Sequence, residues 1–221
     1  MKLPRIARRA WRRRSLWLRL ALVAVAPLLC LNLAVGFFGN TPLFPLSPFF
    51  LREKAQALAR YARHRPRCLL GSDPPIAPLL GAAERRHALP PGLLAALVEV
   101  ESKTRAHRIS PAGAMGPGQL TAATAALLGV EDPFDPETAV DASARYLAGH
   151  LRRFGDFRLA LAAYNAGPGA VADGRVPVNG ETEHYVVKVS AEYERRRPKT
   201  LGGRAAQGER RGPPSRAPSG R

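Results

Sequence analysis

The chain has few of the residues that build metal sites and disulfide frameworks. Its 221 residues include two cysteines, Cys30 and Cys68, and five histidines. Cys30 lies inside an apolar run and Cys68 follows it, so we expect no disulfide between them. Without a CxxC pair or a His cluster, the sequence predicts neither a metal site nor a cofactor. The segment from residue 76 to residue 196 has no cysteine, so it would fold equally well in an oxidising compartment.

Patterns typical of strands are also missing, because no segment alternates convincingly between polar and apolar residues. Helical periodicity occurs instead and is separated by turn-rich loops. The predicted helices of this part of the chain cover residues 76–87, 91–103, 120–128, 136–154, 157–164 and 181–195. The sequence therefore predicts an all-α domain with a groove between helical lobes.

Acidic residues are scarce at the two ends of the chain, and this explains the formal net charge of +17. Residues 1–19 contribute +8 and residues 195–221 contribute another +8, which leaves +1 for everything between them. The middle of the chain is therefore nearly neutral, and it shows no basic face with interleaved aromatic residues. These observations argue against a nucleic-acid partner.

Residues 20–38 form a run of 19 residues without a charged side chain. As a helix this run would be about 28 Å long, close to the thickness of the hydrocarbon core of a bilayer. The arginines of residues 1–19 predict a basic cytoplasmic region and place the bulk of the chain outside. A cleaved signal peptide, with Ala34-Val35-Gly36 as its cleavage site, is the alternative to the uncleaved single-pass anchor that we favour. Lipidation at Cys30 is disfavoured because Leu29 precedes it.

Residues 39–75 are predicted to be a stalk or linker. The stretch TPLFPLSPFF is apolar and rich in proline, and we expect it at the membrane surface. Residues 51–63 have a helical pattern, which fits either an interfacial helix or a spacer helix packed on the domain. Residues 197–221 are rich in Gly, Pro, Ser and Arg, and we predict a disordered basic tail.

Glu101 ends an apolar stripe on a predicted helix, because steps of four residues lead from Leu93 through Leu97 to Glu101. Glu99 points to the other side. Desolvation raises the pKa of a carboxyl group, and one that keeps its proton near neutral pH can serve as a general acid. The competing interpretation is that Glu101 ends the stripe at the solvent edge, where glutamates are common.

Three motifs in register carry a resemblance to a known family. They are Glu101-Ser102, the SPAGAMG turn followed by Gln119, and AYNAGPGAV at residues 163–171. Together with the DPFDPE segment between them, they closely resemble the lytic transglycosylase family over residues 76–193. The resemblance implies a lysozyme-like catalytic domain at residues 76–196, acting as a monomer on peptidoglycan glycan strands. It also implies an inner-membrane protein with this domain in the periplasm, or a secreted form if the signal is cleaved.

The resemblance implies that Glu101 protonates the glycosidic oxygen and then accepts the proton of the muramoyl C6 hydroxyl, which closes a 1,6-anhydro ring. Ser110 resembles a serine that hydrogen-bonds substrate near the acid, and Tyr185 resembles a tyrosine close to it. Further residues resemble those that line the groove: Gln119, Tyr164 and Asn165. For both tyrosines, packing in the core is the alternative. Asp135, before a proline, is predicted to be a helix cap.

The sequence departs from the usual family pattern at places beside these motifs. Thr104-Arg105-Ala106 stands where an aromatic or apolar residue and a proline are usual. Pro117-Gly118 replaces Leu-Met, and Thr121-Ala122 replaces Met-Pro, so an apolar platform for sugar is reduced to backbone. Three hypotheses therefore stay open: the favoured lytic transglycosylase, a lysozyme-type hydrolase, and a non-catalytic peptidoglycan-binding module.

Overall fold

The computed structural model describes residues 5–42, 46–68 and 75–197. Within these ranges the chain is helical and forms no strand beyond isolated bridges at Ile109, Met115 and Leu120. The helices are α1 (Arg5–Gly39), α2 (Leu51–Cys68), α3 (Ile76–Arg86), α4 (Leu93–Ser102), α5 (Ala122–Leu127), α6 (Pro136–Phe154), α7 (Phe157–Ala166), a 3₁₀ helix (Pro168–Val171) and α8 (Glu181–Arg196). The predicted all-α class is confirmed.

Local capping explains where several helices begin and end. α6 starts where predicted because the Asp135 carboxylate accepts a hydrogen bond from the Thr138 N–H at 2.9 Å. α4 starts at Leu93, two residues later than predicted, because Gly92 has a left-handed backbone with φ of 87°. α5 starts at Ala122 because Thr121, which was predicted to be helical, is its N-cap.

The main core surrounds α4, which packs against α3, α6 and α8. Leu94 and Leu97 of this helix are fully buried in a cluster that also includes Leu147 and Leu161. The Glu84 carboxylate of α3 accepts hydrogen bonds from the N–H groups of Gly92 and Ala95, and so caps the start of α4. This packing fixes the helix that carries Glu101.

A second, smaller core joins the N-terminal helices to the domain. Its buried residues come from α1, α2 and two domain loops: Val35, Ala57, Ile109, Met115 and Phe134. α2 extends to Cys68, beyond the end predicted at residue 63, and it packs on α1 and near α5. The region predicted to be a stalk thus contains a helix docked on the domain. Outside the described residues lie residues 43–45 and 69–74 of that region, residues 1–4 of the predicted basic region and residues 198–221 of the predicted tail.

Among the described residues, Ala21–Gly39 of α1 is the one helical stretch whose length and composition would allow it to cross a membrane. The predicted anchor, residues 20–38, coincides with it almost completely. Residues 5–19 of the predicted basic region continue the same helix on its N-terminal side.

Candidate functional site

Glu101 lies in the last turn of α4, half-buried, with the fully buried Ser102 beside it. The Tyr185 hydroxyl of α8 donates a hydrogen bond to Glu101 Oε1 at 2.7 Å. α4 and α8 pack closely against each other, which holds the two side chains together across 84 residues of sequence. The structure thus brings Tyr185 to Glu101, as the resemblance implied.

The surroundings of Glu101 favour its protonated form. Burial raises the pKa of Glu101 from 4.5 to about 7, against the smaller opposing effects of the Tyr185 hydrogen bond and the Arg108 charge. Burial and the nearby carboxylate raise the pKa of Tyr185 well above its ordinary value, so this tyrosine stays a neutral donor. The Glu101 carboxyl can therefore both release and regain a proton near neutral pH.

Tyr164 of α7 donates a hydrogen bond from its hydroxyl to the Gly118 carbonyl at 2.9 Å. Burial raises the pKa of Tyr164 above its ordinary value. A Cβ atom on Gly118 would lie 2.0 Å from Ser143 Oγ and 3.0 Å from the Tyr164 hydroxyl oxygen. Ser143 and Tyr164 therefore occupy the space that a side chain on residue 118 would need.

The Asn165 side chain forms a hydrogen bond with another residue of the domain. Its Oδ1 accepts a hydrogen bond from the buried Thr182 hydroxyl at 3.1 Å, and the Thr182 N–H donates to Asn179 Oδ1 at 2.8 Å. Because Thr182 lies in the first turn of α8, Asn165 ties the end of α7 to the helix that carries Tyr185. Its contacts make Asn165 a residue that positions α8.

Ser110 and Gln119 lie together on the loop between α4 and α5, and each bonds to that loop. Ser110 Oγ accepts hydrogen bonds from the N–H groups of Ala112 and Ala114, at 3.2 and 3.0 Å. Gln119 Nε2 donates to the carbonyls of Arg108 and Gly116, at 3.2 and 2.8 Å. The Ser110 hydroxyl hydrogen is not used in these bonds, so it can be donated to a ligand.

The other carboxylates that the sequence offers as catalytic candidates form ion pairs or hydrogen bonds with residues other than Glu101. Glu99 lies 3.6 Å from both Lys103 Nζ and an Arg196 guanidinium nitrogen. Asp132 accepts hydrogen bonds from the Phe134 N–H at 3.1 Å and from His64 at 2.8 Å. Within the described ranges, no group of three or more His, Cys, Asp or Glu side chains could hold a metal ion.

Sequence reasoning missed one contact network. His64 of α2 is buried, with its Nδ1 at 2.8 Å from Asp132 Oδ2 and its Nε2 at 3.0 Å from His107 Nε2. Ala57 and Tyr61 precede His64 at helical spacing and face the same small core, so the helical period was a signal for this contact. The network attaches α2 to the loops on both sides of α5.

The same region is similar to known proteins. Residues 78–182 match the family model of the transglycosylase SLT domain. The chain is 41% identical over 88 residues to the "Transglycosylase" of Enterobacteria phage PRD1, covering 40% of this chain and 33% of that protein. It is also 41% identical over 131 residues to "Membrane-bound lytic murein transglycosylase F 2" of Alkalilimnicola ehrlichii, covering 56% of this chain and 26% of the relative.

Among solved structures, the lytic transglycosylase Slt of Pseudomonas aeruginosa is similar, with 24% identity and a TM-score of 0.47, over 66% of this chain and 30% of that one. The chain thus spans a third or less of the length of each of these proteins.

Proposed function

Because residues 78–182 match the family model of the transglycosylase SLT domain, we propose that the chain is a peptidoglycan lytic transglycosylase. It cleaves the β-1,4 bond between N-acetylmuramic acid and N-acetylglucosamine without water and leaves 1,6-anhydromuramoyl ends. Glu101 is the general acid and base. The proposal depends on one observation: the Glu101 carboxyl accepts a hydrogen bond from the Tyr185 hydroxyl at 2.7 Å, and burial raises its pKa to about 7.

The reaction follows from a carboxyl group that holds its proton until substrate arrives. Glu101 donates this proton to the glycosidic oxygen as the bond to the muramoyl anomeric carbon breaks and an oxocarbenium-like centre forms. The Glu101 carboxylate then accepts the proton of the C6 hydroxyl. The C6 oxygen bonds to the anomeric carbon of the same sugar and closes the anhydro ring, an intramolecular attack that gains from proximity.

The second carboxylate that most glycosidases use has no counterpart among the acidic residues described around Glu101. Glu99 is paired with Lys103 and Arg196, and Asp132 and Asp135 serve the loop and the cap of α6. An internal nucleophile removes the need for that second group. These pairings therefore support the anhydro-forming reaction over hydrolysis.

We also propose that the enzyme is a single-pass protein of the inner membrane with its catalytic domain in the periplasm. Three observations support this location: the apolar stretch Ala21–Gly39, the arginines before it, and relatives named as membrane-bound. Peptidoglycan, which lies on that side of the membrane, is then within reach of the domain.

The test is mass spectrometry of purified sacculi digested by the full chain in detergent micelles. Wild type should release anhydro-muropeptides, and Glu101→Gln should lose at least roughly 10² of that rate, the smaller end of what a general acid contributes. Glu99→Gln is the matched control, because the same residue type on the same helix is changed two positions away. It should keep wild-type activity.

The other hypotheses predict different products. Reducing-end muropeptides from wild type would indicate a lysozyme-type hydrolase. Binding to sacculi without any product, equal for wild type and Glu101→Gln, would indicate a non-catalytic module.

A further inference from the structure

One face of the last two turns of α1 is covered by protein, whereas Leu33 and Phe37 on the other face are 43% and 80% exposed. Asn32 and Val35 are only 4% and 3% exposed. A Cβ atom on Gly39 would lie 2.6 Å from the Ile109 carbonyl oxygen, and the Ile109 N–H donates to the Gly39 carbonyl at 3.3 Å. An irregular loop such as the one around Ile109 is not tolerated against lipid in the hydrocarbon region. The hydrocarbon region must therefore end below the contact between Gly39 and Ile109.

α2 runs parallel to α1 and starts at the level of Asn32. Lys54 Nζ donates to Asn32 Oδ1 at 2.6 Å, and two turns further on Tyr61 packs against Phe38, with the ring centroids 5.7 Å apart. Asn32 Nδ2 also donates to the Ser47 carbonyl at 3.1 Å. The segment that leads into α2 is therefore held beside Asn32 of α1.

This segment exposes a group of large apolar side chains, which we call the apolar collar. Their exposed fractions lie between 39% and 68%. The collar consists of Leu46, Phe49, Phe50 and Leu51. The polar groups behind it are sealed, since Lys54 is 2% exposed and reaches Asn32 Oδ1 and, at 3.5 Å, Ser47 Oγ. Exposed Arg52 follows the collar directly.

We propose that the apolar collar lies at the boundary between headgroups and acyl chains of the outer leaflet and docks the catalytic domain directly on the phospholipid bilayer. Aromatic rings prefer this depth, and a neighbouring arginine suits the phosphate layer. The inference rests on the membrane anchoring proposed above. It moves the outer end of the span about 10 Å down α1, the length of seven helical residues.

The docking is tested by quenching of tryptophan emission in vesicles whose phospholipids carry bromine on the acyl chains. Trp11 and Trp17 of the full chain are first replaced by phenylalanine. Three single-tryptophan variants are then compared: Phe50→Trp in the collar, Val23→Trp on the exposed face of α1, and Val178→Trp on the exposed surface of the domain. We expect loss of emission for the first two and none for the third. Bromine placed near the headgroup should quench Phe50→Trp more than bromine placed deep.

Each other outcome overturns the proposal at an identifiable step. Quenching of Val23→Trp without quenching of Phe50→Trp would leave the anchor intact and remove the collar from the lipid, as contact with a second copy would. If Val23→Trp is not quenched either, the anchor itself fails. Digestion of sacculi by the same variants in detergent shows whether they are folded and active. Because no bilayer is present in that assay, it tests the proposed reaction independently of the docking.

Discussion

The candidate site is assembled from two sets of residues that different parts of the molecule support. The helix-borne set consists of Glu101, Tyr164, Asn165 and Tyr185, on helices that meet in the main core. The loop-borne set consists of Ser110 and Gln119, on the loop between α4 and α5. That loop shares its buried residues Ile109 and Met115 with α1 and α2. The domain thus builds one half of the site, and the N-terminal helices help to build the other.

The contacts of the two sets differ in kind. Hydrogen bonds between side chains link the helix-borne set, as between Tyr185 and Glu101. The loop that carries the loop-borne set is held by contacts with the backbone of the N-terminal segment. A Cβ atom on Gly113 would lie 2.6 Å from the Glu53 carbonyl carbon, and the Arg105 side chain donates a hydrogen bond to the Asn40 carbonyl at 3.1 Å. The N-terminal helices α1 and α2 are therefore part of the site's architecture, and substitutions can separate the two halves.

After Glu101→Gln, Gly113→Ala should cause the largest loss of activity. Gly113 has φ of +80°, so an added side chain is strained and also meets the backbone of α2. We expect kcat/KM on sacculi to fall by roughly tenfold or more, as a displaced loop costs at least about 1.4 kcal/mol of transition-state binding. The loss should fall mainly on KM, since Glu101 and Tyr185 stay in place.

Gly129→Ala is the matched control for Gly113→Ala. Its φ of +69° imposes similar backbone strain, but nothing lies within 4 Å of the added Cβ atom. It should cost about 1 kcal/mol of stability and leave kcat/KM unchanged. Equal losses of kcat/KM in the two variants would mean that α2 does not position the loop.

Glu101→Gln should stabilise the fold at high pH, which probes the helix-borne half. The native pKa of about 7 lies above the ordinary 4.5, so the wild-type contribution is fully present below pH 4.5 and is lost as pH rises through 7. The loss is at most about 3 kcal/mol, and smaller because the half-buried side chain keeps some contact with water. The free energy of unfolding of both proteins from pH 4 to pH 9 measures it.

Glu99→Gln is the control for that experiment, and its free energy of unfolding is measured over the same pH range. Glu99 is paired with Lys103 and Arg196, so its replacement should not stabilise the protein at pH 8. If Glu101→Gln and Glu99→Gln follow the same pH dependence, the raised pKa of Glu101 is wrong.

Helical periodicity and capping signals predicted the helix-borne half well. The start and end of α6 coincide with the prediction because Asp135 and Gly155 mark them in the sequence. Glu101 could be singled out because steps of four residues along α4 reach it from buried leucines. Packing of α2 on the domain was one of the two alternatives for residues 51–63, but its contacts were not predicted, because the partners of His64 and Gly113 are distant in sequence. Likewise, the close packing of Ser143 and Tyr164 against Gly118 was not predicted.

Asn32→Leu should weaken the anchor side without touching the domain. It leaves the buried Lys54 ammonium with Ser47 Oγ at 3.5 Å as its remaining described partner. We expect α1–α2 docking to lose roughly 1–3 kcal/mol, seen as a lower unfolding temperature in micelles and a raised KM. The double variant Asn32→Leu with Lys54→Met should recover most of the loss, because an apolar pair needs no partner. A double variant no better than the single one would contradict this account.

Tyr185→Phe should have the smallest effect. It tests how much the Tyr185 hydrogen bond changes the pKa of Glu101. The Tyr185 hydrogen bond lowers the pKa of Glu101 against the larger effect of burial. Without the hydroxyl the carboxylate loses a donor, so the pKa rises and Glu101 keeps its proton to higher pH. The high-pH limb of kcat should therefore move upward by up to about one pH unit. Tyr193→Phe, on the same helix with its ring near Phe157, should leave the limb in place. A downward shift in Tyr185→Phe would mean that Tyr185 stabilises the protonated acid, which would reverse its role in the reaction.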